Sequence, residues 1–410
     1  MKRRTVLKGL GATALMSGFL PAPTLAGEPR APLGYLRTNW SRDPYSFGSY
    51  SGFLKGSTIE DRVALAEPVE NRIFFAGEAA NTEYNGTVHA AYESGVTAAE
   101  TILDDTDARK LAVIGSGISG LAAAELLTEN GRDVTVLEAR DRKGGRLWTV
   151  DVLGVPLDLG ASWIHGIDGN PLVELAMSQD MGAVPTDDST IIRGRDGRGV
   201  AFRDAPEWLE EVGNVQHNAG MALSQINVEA AMEQGNNDYD GEEVIFPNGY
   251  APILGALTGQ YDLQLNAPVT AIRLTDDQVS VTSSRGTEAY DAVLVTVPLG
   301  VLKAGSIEFA PALPTRKQHA IDALGMGTLD KVYLQYEEAF WDPNVNWIMT
   351  PENDLPQGQF NGWLNLYKYF GIPVIMAFNG GPPALQLAGL SDNEVIERGV
   401  RTLNMAYPVS

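Results

Sequence analysis

Cysteine is absent from all 410 residues. That excludes disulfides and thiolate metal sites, and with only four histidines no metal site is expected. Basic residues are in deficit, 30 Lys and Arg against 52 Asp and Glu, for a net charge of −22. Such a surface argues against nucleic acid and anionic membranes as partners. No run reaches the ~18 apolar residues of a membrane span, so stable membrane insertion of the mature chain is not expected. Internal repeats and low-complexity tracts are also missing. What remains is a globular composition, 44% hydrophobic, in a chain long enough for two or more intertwined domains.

The first 26 residues differ from the rest. Arg3 and Arg4 precede an apolar stretch from Leu10 to Leu20 and a small-residue end at Thr24-Leu-Ala26. This is the anatomy of a twin-arginine export signal cleaved near Ala26. It implies a periplasmic or secreted protein and the twin-arginine export machinery as a transient partner. Removing the segment, which carries four basic and no acidic residues, takes the net charge from −22 to −26. An acidic surface suits small cations.

Residues Ile114 to Gly120 read I-G-S-G-I-S-G, between a strand pattern at Lys110–Ile114 and a helix pattern at Leu121–Thr128. In this context the string is a dinucleotide fingerprint. Gly115 permits the tight turn, Gly117 lets the backbone approach a pyrophosphate, and Gly120 allows close helix–strand packing. The helix N-terminus offers free amides to phosphate. Glu138, at the end of the next strand (Asp133–Glu138), is placed to hydrogen-bond a ribose hydroxyl. Arg140, Gly144-Gly145-Arg146 and Gly160-Ala161-Ser162-Trp163 follow. Upstream lie Arg72-Ile-Phe-Phe-Ala-Gly77-Glu78 and Asn85-Gly-Thr87-Val88-His-Ala-Ala-Tyr-Glu-Ser-Gly95.

Together these blocks resemble the flavin-dependent amine oxidases of the monoamine and polyamine oxidase type. In that family the upstream blocks close the chain, whereas here they open it, which implies a circular permutation. The polar run Asp104-Asp-Thr-Asp-Ala-Arg109 then joins the family's old C-terminus to its old N-terminus, spanning at most ~20 Å; chain ends often lie close together. The resemblance implies FAD, contacted through Arg146, Gly77, Glu78, Trp40 and the start of a helix at Val88. Val269 matches the position whose backbone meets the adenine. The position of the family's flavin-linked cysteine is Ser49, so the FAD is expected to be non-covalent.

For the chemistry, Lys331 matches the family lysine that reaches the flavin N5 through a water. A lysine in an apolar strand otherwise meets a heavy desolvation cost. Tyr50 matches one wall of an aromatic cage that orients a neutral amine. The second wall, tyrosine in monoamine oxidases, is Thr87 here, which resembles the polyamine-oxidising and lysine-demethylating branches. Trp163-Ile-His165-Gly resembles the block whose histidine faces the amine channel; a turn-capping histidine is the structural alternative. The expected catalytic set is therefore Lys331, Tyr50, Thr87 and His165.

The expected fold is α/β. An FAD-binding Rossmann-like domain of the glutathione-reductase type holds an inserted mixed α+β substrate domain, in circularly permuted order. The cofactor domain takes 31–104, 110–167 and 246–299. The substrate domain takes 168–245, read as helix and loop with helices at Glu207–Ala222 and Met221–Met232, and 300–410. The expected reaction oxidises a small cationic amine, preferably a polyamine or secondary amine, with O2 and water to an aldehyde, an amine or ammonia, and H2O2. A primary monoamine oxidase, an L-amino-acid oxidase, and an inactive flavoprotein-fold binding partner stay open as alternatives.

Overall fold

A computed structural model describes residues 18–19, 29–84, 86–234 and 239–409. The expected export signal lies outside the described residues, apart from Gly18–Phe19, which pair antiparallel with Gly34–Tyr35. No helix among the described residues is long and apolar enough to cross a membrane.

A five-stranded sheet organises the nucleotide half. Its order is Asp262–Gln264, Asp133–Leu137, Lys110–Ile114, Ala292–Val295, Ile73–Phe75, and every pairing is parallel. The strands are short apolar runs because both faces are covered. On one face lie the helices Ile118–Glu129 and Val88–Asp105, whose Ala98, Ala99, Ile102, Ala123 and Leu127 share a core with Leu111 and Val113. These helices approach closely at Gly95, where a Cβ would sit 2.1 Å from the Ser119 carbonyl oxygen. On the other face packs a four-stranded sheet, Gly286–Tyr290, Val279–Ser283, Val269–Leu274 and Glu308–Ala310. The edge strand Ile73–Phe75 comes from the upstream segment, so residues on both sides of the 104–109 linker build one sheet.

The second half is an eight-stranded sheet with Gly34–Arg37, Leu329–Gln335, Val374–Gly380, Gly362–Asn365, Trp347–Met349 and Thr190–Arg193 in its interior order. Helix Asp392–Ala406 is fixed by a capping box of Ser391 and Glu394. It lays Val395, Ile396 and Leu403 against Leu334, Trp363 and Ile375.

Strand pairing departs from the expected division at two places. Residues 34–37 join the substrate sheet through Leu329–Gln335, and 308–310 join the sheet of 269–290. The first of these strands, Gly34–Arg37, ends ahead of Trp40. Asp330 there accepts from Thr38 Oγ1 and the Trp40 amide, turning the chain into a 3-10 helix at Trp40–Arg42. The segment 168–242 is less helical than expected. It supplies the strand Thr190–Arg193, and its 207–232 stretch breaks into Trp208–Glu211, a π turn at Val212–His217, a 3-10 turn at Leu223–Gln225 and the helix Val228–Gln234. Gly220, at φ +62°, turns the backbone so tightly onto Thr328 that a Cβ would lie 2.5 Å from the Thr328 amide nitrogen.

Candidate active site

A cavity of about 510 Å³ runs between the two halves, a size in the ordinary range for cofactor and small-ligand sites. Gly77, Glu78, Thr87 and Val88 line it from the upstream segment, opposite Gly115, Glu138 and Arg146. Of all the expected site residues, Gly120 alone does not line the cavity. It sits behind, where a Cβ would lie 2.1 Å from the Gly115 carbonyl oxygen.

At the nucleotide end, Gly115 takes φ +109°, a conformation that side chains resist. A Cβ on Gly117 would meet no protein atom within 4 Å; since Gly117 lines the cavity, it would occupy cavity space. The helix Ile118–Glu129 begins there and directs its first amides toward that space. The Gly144 amide donates to the Ser116 carbonyl over 2.8 Å, seating the double glycine beside the fingerprint. These features fit a dinucleotide pyrophosphate. The buried Glu138 carboxylate accepts from the Ser116 amide and hydroxyl and from the Arg140 amide. Val269 lines the same end.

Two expected cofactor contacts are charged groups already held by protein. Both terminal nitrogens of Arg140 bind the buried Asp43, at 2.9 and 2.7 Å, clamping the upstream segment to the fingerprint half. Arg146 donates to Glu78 at 2.8 Å and to the Ser49 carbonyl at 2.9 Å. Glu78 also accepts from the Ser51 amide and hydroxyl and from the Gly86 amide. Burial pushes its pKa up, but Arg146, Arg62 and Ser51 outweigh that and leave it below the ordinary carboxylate value.

At the opposite end Lys331 is 5% exposed. Its Nζ donates to the Asp158 carbonyl at 2.8 Å, the Gly160 carbonyl at 2.6 Å and Ser162 Oγ at 2.6 Å. Burial lowers its pKa to about 8, against the opposing pull of Asp158. Trp163, Phe378 and Tyr50 share this end of the cavity with it. Trp163 and Phe378 rings lie 6.1 Å apart. The Tyr50 hydroxyl donates to the His217 carbonyl, and burial raises its pKa, keeping it a phenol. Trp40 is buried, with Nε1 on the Leu159 carbonyl.

The flavin containing amine oxidoreductase model matches residues 12–103, 118–195 and 185–410. The chain belongs to that family. Among its relatives in the family, "Probable polyamine oxidase 4" of Arabidopsis thaliana is 32% identical over 357 residues, covering 72% of this chain and 71% of that one. "Lysine-specific histone demethylase 2" of Homo sapiens is 29% identical, covering 73% and 44%. A solved structure of putrescine oxidase redesigned in its cofactor binding shares the fold at a TM-score of 0.55, with 19% identity, over 73% of this chain and 81% of that one. As a flavin amine oxidoreductase, the chain is a flavoprotein of the oxidoreductase class acting on amines.

In this family member the remaining expected residues sit as follows. Thr87 lines the cavity, but its Oγ1 also caps the helix Val88–Asp105 by accepting from the Ala90 amide. Ser49 Oγ bridges both polar atoms of the Leu329 backbone. His165 is 38% exposed in its side chain at the cavity wall, stacked on Trp163, with Nδ1 3.1 Å from Glu243 Oε1. The helix that follows, Pro171–Ser178, is capped by Asn170.

Sequence reasoning missed Asp158, Phe378, Glu243 and Arg62. Phe378 sits in the strand Val374–Gly380, buried along its whole length, so no alternation of polar and apolar residues marks which side chain meets the cavity. Glu243 lay in an acidic run that reads as solvated surface. For Arg62 the one sequence signal was a basic residue four positions into a helix that is otherwise apolar and acidic.

Proposed function

We propose that this chain is an FAD-dependent amine oxidase in circularly permuted order, acting on secondary amines of the polyamine type with O2 as electron acceptor. The observation carrying the proposal is the convergence of both chain segments and the buried Lys331 on one cavity. Bound FAD supplies a two-electron acceptor for the carbon beside the amine nitrogen. The imine product takes up water to give an aldehyde and a shorter amine, and O2 leaves as H2O2.

The protein's share is binding and orientation. Tyr50, Trp163 and Phe378 exclude water and favour the neutral amine. Lys331 holds its nitrogen among oxygen acceptors beside that space, where a proton can be kept or released near pH 8. Beside the wall residue His165, Glu243 offers a distal ammonium a negative partner: the Glu243 pKa is lowered first by its hydrogen bond to His165. Thr87 leaves the amine slot wider than a second ring does. The names of the polyamine oxidase relatives agree with this substrate class.

The permuted order is supported by the parallel pairing of Ile73–Phe75 with Val293–Val295. It is supported too by Arg30, whose backbone amide and carbonyl both bond the Asn404 side chain, so residues 30 and 404 are neighbours. A gene rearranged to 110–410 followed by 29–104 should therefore bind FAD as the native order does. With no cysteine in the chain, acid precipitation should release all the flavin. Export is proposed from Arg3 and Arg4; replacing both with Lys should retain the protein in the cytoplasm.

One experiment tests the central reading. The purified protein should show flavin bands, and anaerobic N-acetylspermine or spermine should bleach them faster than benzylamine. Flavin that no amine bleaches would instead support a binding partner without turnover.

A further inference from the structure

Arg62 is a fully buried charged side chain near the site, at 0% exposure. It stands on the helix Ile59–Ala66, none of whose residues lines the cavity. Its Nη1 donates to Ser51 Oγ and to the Ala79 carbonyl, each at 3.0 Å. Its Nε and Nη2 have no hydrogen-bond partner among the described residues, and the guanidinium lies over the Phe53 ring at 4.6 Å. A cation so poorly satisfied costs several kcal/mol to bury unless an anion compensates. The compensating anion is Glu78, reached through Ser51, whose hydroxyl donates to Glu78 Oε2 at 2.6 Å. Glu78 in turn holds Arg146, at the cavity wall, by its other oxygen.

The three side chains alternate in sign from the core to the cavity, and two guanidiniums share one carboxylate. Without Arg62 the carboxylate loses one of its two cations and the hydroxyl orientation at Ser51. We infer that Arg62 is a positioning residue for the cofactor: it fixes Glu78 as an oriented carboxylate, so that Arg146 is presented to the cavity with the cluster's single excess positive charge available to an anionic part of FAD. This rests on the proposed FAD site but not on the amine chemistry, and its test reads binding, not turnover.

The test is a double-mutant cycle of Arg62→Met with Glu78→Gln, with Arg62→Lys as the conservative variant. FAD dissociation constants are measured on deflavinated protein by flavin fluorescence, and stability by urea unfolding. Arg62→Met is expected to weaken FAD binding roughly tenfold, and Arg62→Lys, which keeps the charge, by no more than about threefold. In the Glu78→Gln background Arg62→Met should change affinity little and should raise the urea midpoint, because it removes a cation left without its anion. Equal losses of affinity in both backgrounds, or an Arg62→Met protein that binds FAD normally, overturn the inference. If Arg62→Met fails to fold but folds when combined with Glu78→Gln, the coupling stands. If both fail to fold, Arg62 is a packing element and the inference falls. A wild-type protein that binds no FAD at all would defeat the underlying site reading instead.

Discussion

The two ends of the cavity are built on opposite plans. At the nucleotide end, charged side chains are buried and held by protein: Glu138 by three donors, Arg140 by Asp43, Glu78 by Ser51, Gly86 and Arg146. Glycines stand where any Cβ would strike backbone or fill the cavity. At the amine end the walls are aromatic, Lys331 is the principal buried charge, and the outer groups His165 and Glu243 remain partly in solvent. A preorganised end of this kind tolerates almost no change. The other end, with aromatic walls and the partly exposed His165–Glu243 contact, should be adjustable in steps.

The sharpest way to break that contrast is Gly120→Ala. The added Cβ would lie 2.1 Å from the Gly115 carbonyl oxygen, so the fingerprint turn must move. FAD affinity should drop by roughly two orders of magnitude or more, consistent with overpacking costs of ~1–3 kcal/mol plus lost contacts; the flavin-to-protein absorbance ratio reads it. A normal ratio would show that the nucleotide end is as forgiving as the amine end.

Next comes Lys331→Met, which should keep FAD while slowing amine-driven bleaching, reoxidation by O2, or both, by ~10²–10³. Stopped-flow absorbance separates the two half-reactions, and unchanged rates would reduce Lys331 to a structural role. The variant also carries a stability signature. Burial lowers the folded pKa of Lys331 from 10.5 to about 8. Between those values the unfolded chain binds more protons, so wild-type stability gains from this group as pH rises from about 8 to 10.5. Lys331→Met should lack that gain in urea titrations.

A smaller effect is expected at the mouth. Glu243→Gln and His165→Ala should each lower kcat/KM for spermine by about tenfold, the scale of one partly exposed ion pair of ~1 kcal/mol or a little more, while sparing benzylamine. Equal losses for both amines would place these residues in folding, not recognition. Smallest is Thr87→Tyr, expected to move the spermine-to-benzylamine ratio a few-fold toward benzylamine, consistent with one aromatic contact of ~1 kcal/mol. Because Thr87 Oγ1 also caps its helix, a fall in melting temperature should accompany the shift.

How much of this was readable beforehand follows the same division. The strand Lys110–Ile114 appears at its expected bounds, since an apolar run bounded by turn residues carries its own signal. The glycine turn was legible because each glycine has one steric task. The strands Thr190–Arg193, Trp347–Met349 and Gly362–Asn365 went unseen: each is three or four residues long, and the first two pair with each other across a long stretch of chain. Arg62 and Asp43 were invisible for a related reason. Their partners lie 16 and 97 positions off, and no local pattern distinguishes a buried charge from a surface one. Glu243 and Phe378 needed a facing direction, which only the assembled halves supply.

The edge strand Ile73–Phe75 has a consequence for how the molecule is made. Its partner Val293–Val295 emerges from the ribosome about 220 residues later, which at 5–20 residues per second is a delay of roughly ten to forty seconds. During that interval Ile73 and Phe75, buried in the finished sheet, lack Val269, Ile272, Val279, Val293 and Val295, which complete their core, and the strand offers an unpaired edge to any neighbouring nascent chain. Yield in the cell should therefore depend on translation speed and chaperone supply, and a gene recoded to be read faster through residues 110–290 should give more soluble protein from the same message.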